Sequence, residues 1–100
     1  MVDMDAIVGF EWDSGNERKS VDKHDVSQAQ AEQIFFNLPL LVSEDVGHSD
    51  SEPRFHAMGR SDDGRALHVS FTLRAGGMLI RVISARPMSR KERVYYEKEA

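Results

Sequence analysis

Residues 65–86 read RALHVSFTLRAGGMLIRVISAR, and the fold turns on how this stretch pairs with itself. Leu67, Val69, Phe71 and Leu73 fall on every second position, the period of a half-buried strand. The following run, MLIRVISAR (78–86), puts Ile80, Val82 and Ser84 on one face and Arg81, Ile83 and Ala85 on the other. Gly76-Gly77 between the runs is a hairpin signal. A two-residue loop there sets Leu73 opposite Ile80 and Phe71 opposite Val82, so both apolar sets share one core face. The same register sets Arg81 opposite Thr72. Arg86 takes the core parity and ends its strand before Pro87.

Working outward, RFHAMGR (54–60) is a third strand of the same kind, joined through SDDG to the run from Arg65. Phe55 and Ala57 must share the face of Val69 and Leu67. That places Arg54, His56 and Arg60 with His68, Ser70, Thr72, Arg74 and Arg81 on the second face. Such a face reads in two ways, as an anion-binding surface or as the solvated polar side that any half-exposed sheet needs.

The N-terminal half supplies the other elements. IVGFEW (7–12) reads as a strand, and the polar stretch 14–24 as an exposed helix. Ser27 with Gln30 forms a capping box, with Val26 stapled against Ala31. Ala31, Ile34, Phe35 and Leu38 give one buried helical stripe, which Pro39 prevents from continuing. LLVSED (40–45) reads as a strand and GHSDSEP (47–53) as a loop. A last helix opens at Ser89, boxed by Glu92. The order β-α-α-β-β-β-β-α predicts an α+β fold: an antiparallel sheet of four to five strands with its helices on one side.

At 100 residues, 40% hydrophobic and 30% charged, the chain fits one ordinary globular domain spanning 1–100. It has no cysteine, which excludes disulfides and thiolate zinc sites and suits a reducing cytoplasm. The start, MVDMDAIVGFEWD, lacks a basic region and a long apolar run, so neither a signal peptide nor a membrane span is expected. The net charge of −4 hides a split: residues 1–53 carry 12 Asp/Glu against three Lys/Arg, and residues 54–100 carry five against 10. Arg accounts for nine of the 13 basic residues, and its planar fork suits phosphate. An anionic partner for the C-terminal half competes with plain surface solvation.

Lys23 and His24 stand side by side in DKHDVS (22–27). A histidine can exchange protons near neutral pH; equally, both cations suit the end of a helix. The histidines His24, His48, His56 and His68 show no metal-ligand spacing, and no phosphate-binding glycine loop or dinucleotide fingerprint is present.

FEWDSGNERKSVDKHDVS, QIFFNLPLL, EPRFHAMGRSDDGRALHVSFTL and IRVISARPMSRKERVYYE, in this order, resemble the BrnT toxins of BrnT/BrnA type II toxin–antitoxin pairs across roughly residues 8–97. The resemblance implies a RelE-like fold and a ribosome-independent endoribonuclease; no metal or other cofactor is expected. It also implies a BrnA-like antitoxin whose ribbon-helix-helix domain binds promoter DNA. The family's Lys-His pair falls on Lys23 and His24, its acidic position on Glu52, and its arginines on Arg60, Arg81 and Arg86. Two positions depart from the family pattern. Asp25 stands where glycine is usual, and Ser20 where asparagine is frequent.

These parts suggest metal-independent transesterification, with His24 moving a proton and Glu52 as its partner. Arg60, Arg81 and Arg86, assisted by Lys23, would stabilise charge on the phosphate. Arg54, Arg90, Lys91 and Arg93 would hold the RNA backbone. The competing reading is a non-catalytic module that pairs with a DNA-binding antitoxin in a repressor.

Overall fold

The computed structural model describes residues 2–48 and 52–100; residues 49–51, part of the loop expected over 47–53, lie outside the described residues. Five strands and three helices follow in the order β1 (Gly9–Glu11), α1 (Lys19–His24), α2 (Gln28–Gln33), β2 (Leu41–Glu44), β3 (Arg54–Arg60), β4 (Ala66–Arg74), β5 (Leu79–Pro87) and α3 (Arg90–Glu99). Among the described residues no helix is long and apolar enough to cross a membrane.

The strands form one sheet in the order β1-β5-β4-β3-β2. Neighbours from β2 to β5 run antiparallel, whereas β1 lies parallel to β5 with Gly9 beside Leu79 and Glu11 beside Arg81. The sheet is therefore mixed, not antiparallel throughout as the sequence suggested. Tight turns force antiparallel direction on the β3–β4–β5 meander. No such turn constrains β1, which reaches the last strand through most of the chain.

The β4–β5 register begins as expected, with Leu73 opposite Ile80, Thr72 opposite Arg81 and Phe71 opposite Val82. Its loop is longer than two residues, since pairing stops at Arg74 and Leu79, and Ala75, Gly76 and Gly77 all take positive φ. The register then shifts between Ser70 and Phe71, so that Ser70 faces Ser84 and His68 faces Arg86. Ile83 is the extra residue of this bulge, and it inverts the alternation beyond it. Ala85 consequently sits fully buried in the core, and Arg86 joins the polar face. Strict alternation would have given the reverse.

The core lies between the apolar face and the α1–α2 region, where Val26, Ala31 and Ile34 pack with Phe55, Ala57, Leu67, Val69, Phe71, Ile80, Val82 and Ala85. Phe71 is ringed by Phe35 at 5.3 Å and Phe55 at 5.5 Å between centroids. Both capping boxes form in full, Ser27 with Gln30 and Ser89 with Glu92. The second helix stops earlier than its apolar stripe implied. After Gln33 the chain makes one 3-10 turn, Ile34–Phe36, and extends at Asn37, leaving Leu38 91% exposed. Pro39 disfavours helical backbone at the residue before it.

The polar stretch 14–24 is helical only from Lys19. Before that, Asp13 Oδ1 accepts the Gly15 N–H at 2.8 Å and Asn16 Oδ1 accepts the Asp13 N–H at 2.8 Å, local bonds that compete with a helix. Helix α3 addresses the polar face, unlike the other two. Its Glu92 reaches Arg86 and its Glu97 reaches Arg60, so the helices do not all serve one side of the sheet.

Candidate active site

Beyond Glu11 the edge of β5 loses its strand partner, and side chains take over. Asn16 Nδ2 donates to the carbonyl oxygens of Glu11 at 3.0 Å and Val82 at 2.9 Å, and Ser20 Oγ accepts the Ala85 N–H at 2.7 Å. Both residues are buried, where an unmet backbone group would be costly. Asn16 at Val82 and Ser20 at Ala85 lead the chain along β5 toward Pro87. Helix α1 thus delivers Lys23 and His24 to the end of the sheet that carries Arg86. Asp25 closes α1 in the left-handed region (φ 54°, ψ 41°), a backbone that suits glycine and is tolerated by Asp.

The same end holds Arg60, opposite Ala66 on β4, and Arg86, opposite His68. The two arginines stand on strands two spacings apart, about 10 Å. Arg86 donates from Nη1 and Nη2 to the two carboxylate oxygens of Glu92, at 2.7 and 2.9 Å, a bidentate pair. This guanidinium, helped by the Ser89 N–H and His68, holds the Glu92 carboxyl down at about 2. Arg60 donates to the Gly64 carbonyl at 3.0 Å and to Glu97 at 3.3 Å, and lies 5.8 Å from the centre of the Tyr96 ring.

Between the two ends lie two imidazoles whose planes are tilted 46° to each other. The rings of His56 and His68 are 4.7 Å apart, and His56 contacts Asp45 Oδ2 at 2.8 Å and Ser70 Oγ at 3.2 Å. Burial pushes the His68 imidazole below its ordinary value; Arg86 and His56 add to this, and Glu92 opposes it. His68 is therefore held neutral close to a fixed guanidinium.

The other expected residues collect at the opposite end. Arg81 donates to Glu11 at 2.8 Å and to both oxygens of Asp13 at 2.9 and 3.0 Å, which raises its own pKa and lowers that of Asp13. Arg54 pairs with Thr72, the residue opposite Arg81, and Glu52 accepts from Arg74 at 2.9 Å. Four residues of β4 separate the partners of Arg81 and Arg86, about 14 Å, and six separate Arg74 from His68, about 20 Å. Lys23, His24, Arg60 and Arg86 thus lie toward one end of the sheet, the two arginines on its polar face and α1 on its core side. The structure does not bring Glu52 to His24. Arg90, Lys91 and Arg93 are exposed along α3.

Sequence reasoning missed Arg65, which donates from Nη1 to the Asp25 carbonyl at 2.7 Å. It also missed the carboxylates of Glu11, Asp13 and Glu92 that engage the arginines. The one available signal was Glu92, placed by its capping box six residues from Arg86.

Residues 12–92 match the family model described as the ribonuclease toxin BrnT of type II toxin–antitoxin systems. The chain belongs to the BrnT family. The matched span contains every element from α1 to β5 and the first turn of α3, hence both ends of the polar face. Among solved structures, the chain is similar to the crystal structure of the ribonuclease toxin BrnT from Brucella abortus, with 22% identity and a TM-score of 0.61. That likeness covers 83% of this chain and 99% of the Brucella chain, and it supports the BrnT fold. No curated protein sequence matches.

Proposed function

We propose that this BrnT-family chain is a ribosome-independent endoribonuclease of RelE-like type that acts in the cytoplasm and is neutralised by a BrnA-like antitoxin. The observation that carries the reading is the match of residues 12–92, which include Lys23, His24, Arg60 and Arg86, to the family of BrnT ribonuclease toxins. Cleavage proceeds by transesterification. The RNA 2′-oxygen attacks the adjacent phosphorus and loses its proton, while the bond to the 5′-oxygen breaks and that oxygen gains one. The products are a 2′,3′-cyclic phosphate and a 5′-hydroxyl.

His24 serves one of the two proton transfers, and Lys23 adds positive charge beside it. Arg86 and Arg60 stabilise the charge that builds on the phosphoryl oxygens, where one well-placed donor is worth about 10²–10³ in rate. Arg90, Lys91 and Arg93 hold the backbone of the strand, giving affinity that falls with salt. Arg54 and Arg81, at the far end, bear on a neighbouring segment of RNA. Glu52 shares that end and has no route to the proton on His24. A ribbon-helix-helix domain in the antitoxin would link the complex to promoter DNA.

One observation favours the second reading, a binding module without catalysis. Arg81 and Arg86 already hold carboxylates, as they would if the polar face served mainly to be neutralised. Incubating the purified chain with RNA in EDTA separates the two. The nuclease yields 2′,3′-cyclic phosphate ends that disappear when antitoxin is added. Intact RNA together with tight antitoxin binding would establish the module.

A further inference from the structure

His24 is followed by the left-handed Asp25, and this junction is held at two points. Upstream, Ser20 Oγ accepts the Ala85 N–H of β5 at 2.7 Å. Downstream, Arg65 Nη1 donates to the Asp25 carbonyl at 2.7 Å and to Gln30 Oε1 at 3.1 Å. The same Gln30 oxygen accepts the Ser27 N–H that opens α2. One guanidinium thus ties the β3–β4 turn to the residue after His24 and to the first turn of the next helix.

Arg65 differs from Arg60, Arg74, Arg81 and Arg86, each of which bonds a carboxylate. Among the described residues the Arg65 guanidinium bonds carbonyl oxygens alone. Its hydrogen bonds are spent on holding backbone in place. A non-glycine residue in the left-handed region persists only where its surroundings hold it. Without the tether the turn can relax and carry the neighbouring imidazole with it. A displacement of about 1 Å can cost a catalytic group about 10²-fold.

We propose that Arg65 is a positioning residue for His24: it fixes the Asp25 junction and so holds the Lys23–His24 pair at the Arg86 end of the sheet. This rests on the reading of His24 as a proton-transfer group in RNA cleavage. The test compares Arg65→Met, Arg65→Lys and His24→Asn in the full chain, measuring kcat and KM on RNA in EDTA. The His24 ring resonances are followed by NMR. Arg65→Met should lower kcat at least about tenfold with KM within about twofold. It should also shift the His24 ring signals, and Arg65→Lys, which keeps a donor near the Asp25 carbonyl, should recover part of both. A wild-type kcat in Arg65→Met, or a loss seen in KM alone, overturns the proposal. If Arg65→Met does not fold, Arg65→Lys decides: a lowered kcat at unchanged KM supports positioning, and wild-type kcat contradicts it. An inactive His24→Asn beside a fully active Arg65→Met sinks the positioning role alone. A fully active His24→Asn sinks the proton-transfer reading instead, and the NMR shift then decides whether Arg65 positions the ring.

Discussion

The two ends of the polar face use arginine in opposite ways. At one end Arg81 is held by Glu11 on the adjacent strand and by Asp13 just after it, so the ion pair fastens the short edge strand β1 to β5. At the other end Arg86 is held by Glu92, which belongs to a separate helix, and opposite it stands His68 with its ring 4.7 Å from that of His56. A guanidinium fixed by its own sheet is a fastener. One whose partner arrives on another element, among groups that can exchange protons, is the one the proposed chemistry uses. Residue type alone could not separate them.

The comparison can first be broken at Arg81. Arg81→Ala should lower the urea-denaturation midpoint, because it leaves Glu11 and Asp13 close together without their cation. An unchanged midpoint would remove the fastening role. Glu92→Gln keeps an oxygen for the capping box but removes the charge and one of the two acceptors of Arg86, and should cost about 1 kcal/mol at pH 7. The carboxyl titrates near 2 when folded and near 4.5 otherwise, so its contribution is complete above 4.5 and is lost as pH falls from there toward 2. Stability curves of the two proteins should converge across that window, and parallel curves would contradict the pairing.

His68 gives a smaller effect of the same sign. Its folded pKa lies below 6.5, so the unfolded chain binds the proton better and stability declines as pH drops below 6.5. His68→Gln should flatten that slope, and an unaltered slope would show that the ring is not held neutral. The smallest effect is expected at Asp25. Asp25→Gly relieves left-handed backbone and should stabilise the fold by about 0.5 kcal/mol. A loss of stability there would mean that the Asp25 side chain contributes more than its backbone shape.

Much of the scaffold was legible because it rests on local rules. Period-two runs gave β3 to β5 and their shared core face. The Ser27 and Ser89 boxes gave the starts of α2 and α3, and the polar second face followed from register. What escaped depends on contacts between distant segments. The direction of β1 is set by no turn. The bulge at Ile83 leaves no mark in an apolar run, yet it moves Ala85 inward and Arg86 outward. The site was legible as a set of residue types, less so as a place. Arg81 and Arg86 share a strand and looked like one group, and Glu52 looked able to reach His24. The span of β4 separates them. Arg65 stood within a stretch that resembles the family, yet its task of holding a carbonyl far away in sequence left no local sign.

The most direct measurement sets RNA cleavage by Arg86→Ala beside cleavage by Arg81→Ala, both confirmed folded and both assayed in EDTA. Chemistry at the Arg86 end predicts a loss of about 10²–10³ in kcat for Arg86→Ala and less than about tenfold for Arg81→Ala. Equal losses, or a larger loss at Arg81, would contradict that placement.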